Sequence, residues 1–128
     1  MKPTNNEAAV LPTEEMATQC KKDLLPIMDV LELTSGKWRI SIVMVLMCGG
    51  PKKFKELQRD LQGISAKVLS GELKILEQNE IISRKIYETY PVSVEYTLTE
   101  YGRTLEKVVK ELREWGLKHR ERIVSGWK

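Results

Sequence analysis

The stretch "GISAKVLSGELKILEQNEIISRK" occupies residues 63–85, and its reading decides the fold. Val68, Leu69, Leu73 and Leu76 recur at three- and four-residue spacing, which predicts a helix with one apolar stripe. Ser65 stands at its start, where a hydroxyl oxygen accepts from backbone N–H groups that have no partner within the helix. Asn79 marks its end. The face away from the stripe opens with Ser65, Ala66, Lys67, Ser70 and Gly71 and continues to Lys74. A solvated helix face usually carries long charged side chains, whereas this one is small, rich in hydroxyls and cationic. Gly71 is costly inside a helix, by roughly 1 kcal/mol relative to Ala. Its presence calls for close packing against a neighbouring backbone or close approach of a ligand.

The flanking sequence supplies a context for that face. Upstream, a short helix is expected from Phe54 to Leu61, with Phe54, Leu57 and Leu61 inward and Gly63 as the break. Two helices joined by "QGI" make a helix-turn-helix, whose second helix presents its N-terminal part to the major groove of DNA. Close approach to base edges favours small side chains, hydroxyls and a few cations, and phosphate repels acids there. Downstream, "IISRKIY" and "VSVEYTL" are β-branched and aromatic runs separated by "ETYP". They predict a hairpin with Pro91 at its turn or edge, placed as a wing. Arg84 and Lys85 point to opposite faces of the first strand, so one of them can meet DNA.

The remaining segments frame this unit. Residues 1–19 read as a loose arm with a helical turn near residues 14–19. Pro26, tolerated at a first helical position, opens an expected helix with Ile27, Val30, Leu31 and Leu33 on one stripe. An apolar helix from Lys37 to Met47, stopped by "GGP", is expected in the domain centre, with Trp38 and Cys48 in the core. Thr99 is expected to cap one long last helix on which Leu105, Val108, Val109, Leu112, Trp115 and His119 share a face. Such a stripe exceeds what one small domain needs, which points to a homodimer interface. The expected architecture is α+β and mostly helical: a winged helix-turn-helix over residues 20–124, with a two-stranded β-wing, flanking dimerisation helices and a short tail at 125–128.

Composition narrows the function. The 128 residues suffice for one domain with a core. Between Gly36 and Lys74 there are eight cations against three anions, a balance suited to a polyanion partner. No apolar run approaches the ~18 residues of a membrane span, and the first residues lack a signal-peptide core. A cytoplasmic location with no membrane association is therefore expected. Cys20 and Cys48 lie far apart and the chain has a single His, so neither a structural disulfide nor a metal site is expected. No cluster of acid, base and nucleophile suggests catalysis, and no cofactor is implied. Cys20 stands beside Lys21 and Lys22, and nearby cations favour a reactive thiolate. It is the candidate redox sensor.

The segments "SGKWRISIVMVL", "GGPKKFKELQRDLQGISAKVLSGELKILEQNEIISRKIY" and "PVSVEYTLTEYGRTLEKVVKELREW" closely resemble the HxlR-type regulators, bacterial winged-helix transcription factors related in architecture to the MarR group. The resemblance runs from about Leu25 to Arg120. It rests on GKW, KxFxEL, GISxKxL and VEYxLTxxG in that order. It implies a homodimer formed through the first and last helices, with Ile27, Leu31, Leu105, Val108, Leu112, Trp115 and His119 in the interface. It implies a palindromic or pseudo-palindromic double-stranded operator, contacted by Ser65, Ala66, Lys67, Ser70, Gly71 and Lys74 on the helix. On the wing the implied contacts are Arg84, Tyr87 and residues 89–93, including Ser93. Many members sense electrophiles or oxidants through an N-terminal Cys directly before a Pro. Here Leu25 precedes Pro26, and Cys20 lies five residues earlier. Ser93 replaces a common basic residue before VEY, and Gly71 a longer polar one. Those two departures support an alternative, a winged-helix protein-interaction module without DNA binding. Retention on duplex DNA separates the two readings.

Overall fold

The computed structural model describes residue 11 and residues 13–126. Most of the expected N-terminal arm, and residues 127–128 of the tail, lie outside the described residues. The chain divides into two compact units, Met1–Ser35 and Gly36–Lys128.

The described part of the first unit is dominated by one helix, α1 (Glu14–Leu33). Thr13 caps it, its Oγ1 accepting from the Met16 N–H at 3.1 Å. Glu14 and Glu15 stand in the first turn, where the helix dipole favours anions. The helix therefore starts well before Pro26, which lies inside it. Pro also suits a first helical position, and that preference misplaced the boundary. None of its residues is buried.

The second unit opens with α2 (Arg39–Gly49), which buries Ile42, Val43 and Leu46. The short strand β1 (Lys52–Lys53) leads directly into α3 (Phe54–Asp60). There the Lys53 N–H donates to Glu56 Oε1 at 2.8 Å, closing the helix start. Gly63 takes φ +92 in the following turn, a conformation that L side chains rarely adopt. Leu61 and Ile64 on either side of it are buried. Helix α4 (Ala66–Gln78) begins at Ser65, whose Oγ accepts from the Val68 N–H at 3.1 Å, and ends at Asn79.

The strands β2 (Ile82–Tyr87) and β3 (Ser93–Leu98) pair antiparallel over six positions, from Ile82 opposite Leu98 to Tyr87 opposite Ser93. β1 adds to the other edge of β3, giving the order β1-β3-β2. The sheet thus has three strands where two were expected, because two residues are too few to show a period. The long last helix is divided: α5 (Glu100–Arg103) is one turn, Thr104 interrupts, and α6 (Leu105–Val124) follows.

The core joins Leu57 of α3 and Leu69, Leu73 and Leu76 of α4 to α2, Ile81, Ile82 and Leu98. Burying each such side chain contributes about 1.5–3 kcal/mol. Two expectations fail here. Val68 is 43% exposed, since it lies one position off the Leu69, Leu73, Leu76 stripe. Cys48 is exposed because it lies on the side of α2 opposite the buried Ile42, Val43 and Leu46. Trp38 is half-buried at the start of α2, with the Lys37 ammonium 4.8 Å from its ring.

Candidate nucleic-acid interface

Helix α4 is fixed on its inner side and open on its outer side. Arg39 Nε donates to Glu72 Oε2 at 3.1 Å, and both side chains are only 18% exposed. This pair ties the start of α2 to one flank of α4. At the far end of α4, Thr99 Oγ1 lies 2.6 Å from the Glu80 carbonyl oxygen and 3.1 Å from that of Ile81. The same oxygen accepts from the Gly102 N–H at 2.8 Å. A β-carbon on Gly102 would overlap the Ile81 carbonyl oxygen. The motif "LTEYG" is therefore a clamp that sets the angle between α4, the hairpin and α5.

The clamp leaves the sequence-predicted face of α4 in solvent. Ser65, Ala66, Lys67, Ser70, Gly71 and Lys74 are all exposed. Lys67 and Lys74 form no ion pair among the described residues. Among the described residues, no atom outside the local helix lies within 4 Å of a β-carbon built on Gly71. Packing among the described residues thus gives no reason for this glycine. Val68 joins the exposed surface, and its place just off the apolar stripe was the signal for it. A methyl-bearing side chain there suits contact with a thymine methyl group.

The hairpin adds a second element. Arg84 faces α4 and pairs with Glu77 at 3.2 Å, while Lys85 lies on the other face with Tyr87. The Tyr87 hydroxyl donates to Glu95 Oε1 at 2.9 Å. That hydrogen bond, with lesser contributions from burial and the Glu95 charge, pushes the Tyr87 phenol above its usual value. Ser93 is half-buried at the first position of β3, opposite Tyr87. Residues 89–92 at the tip are exposed, and Thr89 Oγ1 donates to the Pro91 carbonyl at 2.9 Å. Between α4 and the hairpin lies a cleft of about 280 Å³ lined by Ser70, Leu73, Lys74, Glu77, Arg84 and Tyr96. Burial pushes the Tyr96 phenol up, Arg84 partly offsets this, and Glu77 adds to the rise.

The other sequence-predicted residues belong to α1 and α6. On α1, Cys20, Ile27 and Leu31 are exposed. On α6, Val108, Leu112 and Trp115 are exposed, whereas Leu105 and His119 are half-buried. The Trp115 and His119 rings stack at 5.0 Å. Among the described residues there is no group of His, Cys, Asp and Glu able to hold a metal, and no helix long and apolar enough to cross a membrane.

A helix with a small, cationic outer face, held at a fixed angle to an antiparallel hairpin, is the reading head of a winged helix-turn-helix DNA-binding protein. The HxlR-like helix-turn-helix family matches residues 33–124, and the chain belongs to that family of transcription regulators rather than to any class of enzyme. It is 42% identical over 98 residues to the HTH-type transcriptional regulator YodB of Bacillus subtilis, covering 77% of this chain and 83% of YodB. YdeP, an HTH-type transcriptional regulator of the same organism, is 37% identical over 98 residues, covering 77% of this chain and 76% of YdeP. The reduced form of YodB superposes with a TM-score of 0.65, over 70% of this chain and 87% of that one, at 42% identity. YodB has also been solved quinone-bound; that form has a TM-score of 0.64 at 38% identity, over 73% of this chain and 97% of the other. The redox regulator HypR in its reduced form gives a TM-score of 0.69 at 38% identity, over 78% and 98% of the two chains.

Proposed function

We propose that this chain is a cytoplasmic homodimeric regulator that reads a palindromic or pseudo-palindromic operator. Ser65, Ala66, Lys67, Ser70, Gly71 and Lys74 enter the major groove, and Arg84, Tyr87 and Ser93 with the wing tip flank it. The observation that carries the reading is the exposure of this whole face of α4 while Leu69, Leu73 and Leu76 are buried behind it. The apolar surfaces of α1 and α6, with no buried residue on either helix, support dimerisation through Ile27, Leu31, Leu105, Val108, Leu112, Trp115 and His119. A two-fold dimer sets its recognition helices about 34 Å apart, one turn of duplex. Selection of bound fragments from a random duplex pool tests this. An inverted repeat with half-site centres about 10 bp apart is expected. Recovery of unrelated sequences, or a monomer in sedimentation at micromolar concentration, contradicts it.

Cys20 is the proposed sensor of oxidants or electrophiles. Its support is its exposure on α1 beside Lys21 and Lys22, and the quinone-bound and redox-regulating forms of YodB and HypR. Oxidation there alters the helix proposed to set the spacing of the two recognition helices, and with it DNA affinity.

A further inference from the structure

The cleft between α4 and the hairpin places an acid on a surface otherwise suited to phosphate. Ser70, Lys74 and Glu77 follow one another along the flank of α4, and Arg84 stands opposite Tyr96 across β2 and β3. Glu77 Oε2 lies 3.2 Å from Arg84 Nε. The Glu77 side chain is 36% exposed and that of Arg84 50%. Ion pairs with this much solvent contact contribute little to stability, so holding the fold together does not account for Glu77. An acid so close to DNA is also unfavourable for affinity. The pair engages Arg84 through Nε, and the two terminal nitrogens carry the remaining donors of a guanidinium that matches phosphate oxygens.

We propose that Ser70, Lys74, Arg84 and Tyr96 form a subsite for one phosphodiester of the DNA backbone, and that Glu77 gates it. The inference rests on the reading of α4 as the DNA-contacting helix. In the free protein the Glu77 carboxylate neutralises Arg84. A backbone phosphate must take its place, with the Ser70 hydroxyl, the Lys74 ammonium and the Tyr96 hydroxyl as further donors. Where matching bases seat α4 fully, the phosphate is brought into the cleft and displaces the carboxylate from Arg84. On unrelated duplex the phosphate is held less closely, and Arg84 stays with Glu77. The acid therefore costs the operator complex the Arg84–Glu77 pair and denies the unrelated complex this contact, and Glu77 is a positioning residue that acts through Arg84.

The test compares the full chain as wild type, Glu77→Gln, Arg84→Ala and the double variant, on the selected operator and on an unrelated duplex, over a range of salt. Gln keeps the shape of the side chain and removes its charge. Glu77→Gln should tighten binding to the unrelated duplex by about 3–10-fold and steepen its salt slope by about 0.9, one added phosphate contact. Operator affinity should rise by at least as much, because operator binding no longer breaks the pair, with its slope nearly unchanged. Both gains should vanish in the Arg84→Ala background. Unchanged or weaker binding of Glu77→Gln to unrelated duplex overturns the gate, as does a gain that persists without Arg84. Lys67→Ala, on the same helix but outside the cleft, separates the two readings. If Lys67→Ala weakens operator binding while Glu77→Gln changes nothing, the gate alone fails. If Lys67→Ala is also silent, the assignment of the DNA face fails with it.

Discussion

Arg39 and Glu72 are joined at 3.1 Å across the junction of α2 and α4, on the flank of the recognition helix away from the wing. The pair is mostly shielded from solvent, so losing one partner leaves a half-buried charge. Arg39→Ala should destabilise the domain by about 1–3 kcal/mol. Chemical denaturation measures this directly. Operator binding should be recovered at temperatures where the variant is fully folded, because Arg39 positions α4 without lying on its outer face.

Gly71 and Gly102 should respond in opposite ways to the same change. A methyl group at Gly71 meets nothing, and Ala is the better helix former. Gly71→Ala should therefore raise stability by about 0.5–1 kcal/mol, yet weaken operator binding by crowding the groove. At Gly102 the added carbon overlaps the Ile81 backbone. Gly102→Ala should cost about 3 kcal/mol or more, because backbone has no room to repack. Thermal melts of the two variants, with operator binding of the first, decide the matter.

The helix-turn-helix and the hairpin were legible because their signals are local. Leu69, Leu73 and Leu76 repeat at helical spacing, Ser65 and Thr99 are capping residues, and the β-branched runs of the wing alternate. What was not legible depends on partners distant in sequence. Nothing near Gly102 announces the Ile81 carbonyl, and nothing near Glu77 announces Arg84. The exposed face of α4 followed from residue types alone. Val68 is exposed because it stands beside the stripe and not on it, a distinction that helical spacing alone does not draw. The start of α1 was missed because Pro26 suits a first helical position as well as it tolerates, at a cost, an interior one.

Alkaline pH should act through the wing. Burial raises the Tyr96 phenol and the bond to Glu95 raises that of Tyr87, so the folded state keeps these protons to higher pH than the unfolded chain. The stability they contribute is fully present below about pH 10 and is lost as pH rises through the folded values. Tyr96→Phe should make denaturation midpoints above that pH less sensitive to further alkali. An unaltered pH dependence would contradict the assignment.

The thiol response should reside in Cys20. Both cysteines are exposed, so each needs its own variant. Treatment with a quinone is expected to change operator affinity in wild type and in Cys48→Ser, and to leave Cys20→Ser unaffected. An equal change in Cys20→Ser removes the sensor assignment.

Contact between the outer face of α4 and DNA is read most directly from the salt dependence of operator binding. Wild type and the double variant Lys67→Ala/Lys74→Ala are to be titrated with operator across salt concentrations. Each lost phosphate contact should flatten the slope by about 0.9. Two lysines in contact predict a slope shallower by nearly two, with weaker binding at every low-salt point. Identical slopes and affinities for the two proteins would mean that α4 does not face DNA.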